Sequence, residues 1–490
     1  MGAQAPDRRR YLILAICCMS LFIVGLDNTI VNVALPSIRH ELHASVPQLQ
    51  WTIDAYTLVL ASLLMLSGSM ADRFGRARVF KLGLVLFTLG SLLCSLAPTV
   101  QLLIVFRMVQ AVGGSMLNPV AMSIIRNTFT DARERAQAIG LWAGVIGLSM
   151  AMGPVLGGAL VDAGSWRSVF WVNVPIGLLA AALTWRFVPE SKAPRARRID
   201  PVGQLLVIVL LAGTVYAIIE GPSHGWHSAE ILGLFALAAV AVGALIRYER
   251  RRVDPLIDVR FFASVPFSGA TVIAVAAFTA LGGFLFLNTI YLQDGRHLSP
   301  LHAGLYLLPM AATTALVGPL TGRLVAARGA RPSLVIGGVA ILLSGLLLTG
   351  LSVTTSPALL FASYVLFGIG FGSVNPPITN TAVSGMPPAQ AGVASAVAST
   401  SRQVGLSLGV ALAGAIAVVT TTGSKSLAGA SHPGWWLVAG CGLLIVVLGL
   451  VTTTRWALDT ATATAARLCE DEPLPAQIDA ERPVAAPVGL

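Results

Sequence analysis

The chain reads as an all-α integral membrane protein of the alternating-access carrier type, with fourteen transmembrane helices: two six-helix bundles plus two inserted helices. Three observations predict this. Charged residues are only 11% of the 490, against roughly 25% in soluble domains, and mean hydropathy is +0.79. Apolar segments of about 20 residues, the length that crosses about 30 Å of hydrocarbon at about 1.5 Å per residue, recur with short breaks. Short strings also return in the same order at a nearly constant offset: Asn28-Thr29-Ile30 as Asn288-Thr289-Ile290 (260), Asn118-Pro119 as Asn375-Pro376 (257), and Gly147-Leu148-Ser149 as Gly405-Leu406-Ser407 (258). Parallel halves around a midplane site are the plan of carriers that expose that site alternately to each side.

The spans fall at 11–35, 51–71, 79–97, 101–125, 136–161, 168–187, 201–220, 230–247, 268–292, 301–325, 333–352, 358–382, 392–420 and 435–456. The first holds Asp27 and lacks a small-residue cleavage site, so it reads as an uncleaved helix rather than a signal peptide. Residues 11–187 form the first bundle and 268–456 the second; 188–267 is a linker carrying spans 7 and 8, flanked by the basic loops PESKAPRARRID and RYERRRVD. Residues 1–10 are a short N-terminus, and 457–490, rich in Pro, Ala and acidic residues, is expected to be a disordered tail.

Lys and Arg number 26 on the side that carries both termini and four on the other. The positive-inside rule places the termini in the cytoplasm. The net charge of +10 is then a matter of topology and attraction to membrane lipid, not a nucleic-acid footprint. With 29 Arg and 3 Lys, the composition points to a bacterial source, hence to the inner (plasma) membrane. Four of the five cysteines lie in spans, which excludes a disulfide framework. All seven histidines lie on or beside outer loops without zinc spacing, so no metal is expected. The absence of a phosphate loop or HExxH argues against an enzyme, a cofactor and ATP as energy source.

Residues 144–158, GVIGLSMAMGPVLGG, are the most informative stretch. Gly144, Gly147, Gly153, Gly157 and Gly158 leave one side of span 5 nearly bare, so a neighbouring helix can approach closely. Pro154 lacks a backbone N–H and crowds the preceding turn, which lets the helix bend. Such a helix suits a moving interface.

Four strings together resemble the major facilitator superfamily, in its fourteen-helix drug:proton antiporter branch, over about residues 10–456. Gly68-Ser-Met-Ala-Asp72-Arg73-Phe-Gly75-Arg76-Ala-Arg78 fits the superfamily's loop signature, and Arg107 with Gln110 and Gly113 resembles its buried-arginine motif. The glycine-proline stretch of span 5 is similar to the antiporter motif, and LDNTIVNVALP in span 1 to the branch signature. The resemblance implies secondary export in exchange for protons.

Site residues follow from depth and charge. Asp27 lies eight residues below Leu35 and Arg107 six below Gln101, so the two are level at roughly 9–12 Å depth. An acid there must face a polar cavity, pair, or take up a proton. Asp27 and Arg107 are therefore the proton-coupling candidates, with a structural ion pair as the alternative. Asp54, near the outer end of span 2, either receives a cation or is solvated at the rim. Arg402, near mid-depth in span 13, is expected to line the substrate cavity with Asn32, Asn118 and Asn375. Gly68, Asp72, Arg73, Gly75, Arg76 and Arg126 form a candidate conformational latch: Asp72 is placed to pair with Arg126 and to dock on the opposite half at SGMPPAQAG. The expected partners are a small amphipathic, cationic molecule, protons and membrane lipid, with no nucleic acid, and the expected state is a monomer. A dedicated exporter of one metabolite or lipid, and a non-transporting membrane sensor, are the alternatives.

Overall fold

A computed structural model describes residues 7–193, 199–252, 255–383, 386, 390–421 and 427–470. The helices are α1 (Asp7–Leu42), α2 (Val46–Phe74), α3 (Arg76–Ser95), α4 (Val100–Thr128), α5 (Ala132–Ala163), α6 (Ser168–Trp171), α7 (Asn173–Phe187), α8 (Pro201–His224) and α9 (Ala229–Glu249). They continue as α10 (Val265–Ile290), α11 (Pro300–Tyr306), α12 (Leu308–Arg328), α13 (Ala330–Leu348), α14 (Pro357–Val383), α15 (Ala391–Thr421), α16 (Leu427–Val451) and α17 (Arg455–Glu470). Counting α6 with α7 and α11 with α12 as single spans, thirteen are long and apolar enough to cross a membrane. Of the other two, α17 follows the last span, and α5, whose apolar run covers 136–161, completes the fourteen.

Helix starts are set by side chains that satisfy free N–H groups, since lipid offers the backbone no other partner. The Ser45 hydroxyl accepts from Gln48 N while Gln48 Oε1 accepts from Ser45 N at 2.9 Å, a capping box. Asp131 caps α5 and Asp200 caps α8 through Gly203 N at 2.9 Å.

Packing repeats between the halves. Helix α1 lies against α4, α5 and α7, while α10 lies against α14, α15 and α16; α3 packs on α4 and α7, while α13 packs on α14 and α16. Close approaches repeat as well: a Cβ at Gly113 would lie 2.2 Å from Phe87 N, and one at Gly370, at the same 257-residue offset, 2.8 Å from Gly337 O. Between the halves, α2 meets α15 and α5 meets α11 and α12. The inserted α8–α9 hairpin covers the α2–α15 seam through α8.

One expectation is corrected. The tail from residue 457 is not disordered throughout: α17 is a helix as far as Glu470, with Ala457, Ala461, Thr464 and Leu468 buried. Those positions are spaced along one helical face, and Val265 N donates to Thr460 Oγ1 at 3.0 Å.

Candidate functional site

A cavity of about 1430 Å³ lies between the two halves and opens at the Arg-rich end, where Asp72, Arg76, Arg126 and Arg260 stand at its mouth. Deeper in, Asn118 and Asn375, the repeat-related pair, face it from α4 and α14, and Arg402 faces it from α15. Arg402 donates to Ser399 Oγ at 3.4 Å and to Thr379 Oγ1. Gln403, Thr379 and Ser399 complete this polar wall, although the sequence reading did not single them out.

The opposite end is closed by contacts that join the halves. A Cβ on Gly158 would lie 2.4 Å from Pro300 O, and one on Gly304 2.2 Å from Pro154 O, so α5 and α11 touch backbone to backbone. Asp162 Oδ2 accepts from Ser299 Oγ at 2.9 Å and Leu301 N at 3.2 Å. Gln293 Nε2 donates to Val33 O at 2.8 Å, Gln50 Nε2 to Ala411 O at 2.8 Å, and Arg39 pairs with Asp294 at 3.3 Å.

The glycines of α5 divide three ways. Gly144 lies open on the cavity wall; Gly153 and Gly157 seat against Thr29 and Ile30 of α1; Pro154 and Gly158 meet α11. Gly147 lies in α5, but its surroundings fall outside the described residues.

Asp27 and Arg107 form a wholly buried ion pair, Nη1 to Oδ2 2.5 Å, outside the cavity wall. Asp27 Oδ1 also accepts from Gln110 Nε2 at 2.9 Å and Asn173 Nδ2 at 3.2 Å. Ser91 Oγ accepts from both amides, at 2.7 and 3.1 Å. Arg107 donates further to Gln110 Oε1 at 2.8 Å and Thr52 O at 3.1 Å, and its guanidinium lies 4.1 Å from the centre of the Tyr56 ring. One charge pair thus ties α1, α2, α3, α4 and α7 together. Next to it in sequence, Asn28 and Thr29 do reach the cavity. The sequence reading missed Asn173 and Ser91; a lone amide in the apolar string WVNVPIG was the available signal.

Three placements differ from the sequence expectation. Asp54 is neither in the cavity nor at a solvated rim: it is fully buried, with Thr57 Oγ1 3.5 Å from its Oδ1. Asn32 also lies off the cavity, its amide donating to the carbonyls of Asn28 and Thr29 at 3.4 Å, so the cavity-facing amide of α1 is Asn28, one turn away. Asp72 pairs with Arg76 at 3.0 Å, four residues on, rather than with Arg126. Most of the docking segment 384–392 lies outside the described residues.

The rest of the loop motif is built as a turn. Gly68 faces the cavity, Arg73 is exposed beside Phe74, and Gly75 has φ 113°. A side chain at Gly75 would be strained by that φ, and its Cβ would fall 2.5 Å from Glu190 Oε1. Glu190, another residue missed from sequence, accepts there from Ala77 N at 3.1 Å.

Comparison with known proteins gives a consistent family. The model described as Major Facilitator Superfamily matches residues 17–410. The chain is 38% identical over 410 residues to the multidrug resistance protein Stp of Mycobacterium tuberculosis, covering 84% of this chain and 76% of that one. It is 35% identical over 394 residues to the methylenomycin A resistance protein of Streptomyces coelicolor (80% and 82% covered). It is 35% identical over 409 residues to the multidrug efflux pump LfrA of Mycolicibacterium smegmatis (83% and 81%). Among solved structures, a bacterial homolog of the human lysosomal transporter Spinster, inward-facing and occupied, is similar with TM-score 0.65 at 17% identity, covering 94% of this chain and 99% of that one.

Proposed function

Because the chain belongs to the Major Facilitator Superfamily, we propose that it is a bacterial plasma-membrane exporter of small amphipathic compounds such as drugs or antibiotics, exchanging them for protons by alternating access. The single observation that carries this is the cavity: both halves wall it, one end is open, and backbone contact of α5 on α11 closes the other. With the Arg-rich end in the cytoplasm, this is the inward-open state, ready to load cargo. The cavity is complete within one chain, which supports a working monomer.

Asp27 is the proposed proton site. Its protonation removes the negative partner of Arg107, which keeps only Gln110 Oε1 and Thr52 O as acceptors. Helix α1 is then less tightly held to α4. Gly153 and Gly157 of α5 sit directly on Thr29 and Ile30, within one turn of Asp27, so a shift of α1 is passed to α5 and to its seal on α11. Asp72 and the turn at Gly75 join the halves at the cytoplasmic end in the opposite state. A membrane potential of 100 mV supplies about 2.3 kcal/mol for each charge moved, and a unit of pH about 1.4 kcal/mol more.

The test is counter-transport in liposomes. Wild type accumulates a dye against its gradient when a pH difference is imposed. Asp27→Asn is expected to abolish that accumulation while leaving dye binding and gradient-free exchange. Accumulation that survives in Asp27→Asn would sink the assignment.

A further inference from the structure

We infer that the cavity selects amphipathic compounds carrying an acidic group, and that Arg402 is the residue that recognises it. This rests on the export reading and narrows its substrate class; the sequence alone suggested a cation. Charge placement on the cavity wall points the other way. Among the described residues, the lining contains two carboxylates and four guanidinium groups. Both carboxylates are at the mouth and are already neutralised: Asp72 by Arg76 at 3.0 Å and Asp258 by Arg260 at 2.8 Å. The two acids that a cation would need deeper in the membrane, Asp27 and Asp54, are sealed off from the cavity.

Two positive groups remain. Among the described residues, Arg126 stands exposed at the mouth with no ion pair, and Arg402 lies at mid-depth with only hydroxyls, Ser399 and Thr379, as partners. Arg402 Nε is buried and has no hydrogen-bond partner among the described residues. A guanidinium held in a low-dielectric wall without a counter-ion attracts an anion strongly, and its planar fork fits a carboxylate, sulfonate or phenolate. Arg126 above it adds a field that draws anions inward. Apolar faces from Phe278, Leu281 and Phe371 supply the surface for the rest of the molecule.

The inference has an energetic signature. For n protons entering per molecule exported, a monocation moves n − 1 net charges and a monoanion n + 1. An inside-negative potential therefore drives the anion harder.

The full-length protein is tested with two dyes of one ring system, cationic rhodamine 6G and the net anion sulforhodamine B. Sulforhodamine B is expected to bind about tenfold more tightly, and Arg402→Gln to weaken it by about tenfold without weakening rhodamine 6G. Arg402→Lys is expected to fall between. In liposomes, a potassium–valinomycin potential added to a fixed pH gradient is expected to accelerate sulforhodamine B transport more than rhodamine 6G transport. The wild-type comparison of binding by the two dyes decides even if Arg402→Gln does not fold. Tighter binding of rhodamine 6G, binding of neither dye, or an Arg402→Gln protein that binds both dyes as wild type does would overturn the inference. Flux of rhodamine 6G alone would overturn it and leave the export reading intact. Binding with the expected preference but no gradient-driven flux of either dye would uphold the selectivity and count against export.

Discussion

At matching positions the two halves have opposite interiors. Asp27 of α1 corresponds to Leu287 of α10 at offset 260, and Arg107 and Gln110 of α4 correspond to Tyr364 and Phe367 of α14 at offset 257. Where the first half holds an ion pair in a web of amides, the second holds aromatic rings. Phe284 stacks on Phe367 at 4.0 Å and meets Tyr364 and Trp435 edge-on at 5.4 and 5.8 Å. Tyr364 Oη donates to Asn288 Oδ1 at 2.6 Å, linking α14 to α10. The same helix arrangement is therefore stable without charge. Burying an ion pair costs several kcal/mol of desolvation, so its presence in one half alone is not a requirement of the fold. In the proposed cycle the first half changes its charge and the second stays as it is.

The sharpest way to break this contrast is to remove one ion and then convert the site. Arg107→Met leaves the Asp27 carboxylate buried without its counter-charge, at a cost of about 3–5 kcal/mol. Unfolding in detergent micelles should show it as a large drop in midpoint. The triple change Asp27→Leu, Arg107→Tyr, Gln110→Phe copies the second half, and Asn173 and Ser91 can still bond each other. It should recover most of the lost stability while leaving proton-driven transport absent. A triple variant that stays as unstable as Arg107→Met would mean that the halves are not equivalent scaffolds.

The glycines of the matched helices α5 and α15 give the second contrast. In α15, Gly405 and Gly409 seat against α10 of their own half, with Gly409 placing a Cβ 2.3 Å from Thr279 O, whereas Gly414 meets Gln50 of α2 across the seam. In α5, Gly153 does the same with α1, but Gly158 meets the other half at Pro300. Gly158→Val should therefore change a conformational balance rather than a bundle. It should cost about 1–3 kcal/mol in the state with α5 sealed on α11, with little effect on unfolding. Labelling of a cysteine placed at Leu301, on that seal, should rise. Gly409→Val should instead lower the unfolding midpoint with labelling unchanged.

How far these features could be read from sequence follows from what each depends on. The spans, the offset of the repeat and the level placement of Asp27 with Arg107 depend on spacing along single helices, and spacing is written in the chain. The fates of Asp54 and Asn32 depend on which side of a helix faces the cavity. In a helix apolar all round, periodicity does not show that. Depth alone pairs Asp72 with Arg126, whereas Arg76, one turn on across Gly75, is nearer. Asn173 and Ser91 were missed because each is a single polar residue in an apolar run, and only the meeting of three helices gives them a partner. Composition taken over the whole tail hides the C-terminal helix, although Ala457, Ala461, Thr464 and Leu468 carry a helical period.

The smallest effect belongs to the quiet half. Tyr364→Phe deletes the hydroxyl that donates to Asn288 Oδ1 and keeps the ring against Phe284. Asn288 Nδ2 still donates to Phe284 O at 2.9 Å, so only one acceptor is left unmatched. The expected loss is about 0.5–1.5 kcal/mol, seen as a modest fall in unfolding midpoint. Because this half carries no proton in the proposed cycle, the number of protons exchanged per molecule and the pH dependence of transport should match wild type. A changed proton number in Tyr364→Phe would place part of the coupling in the aromatic half, and the division of labour between the halves would have to be abandoned.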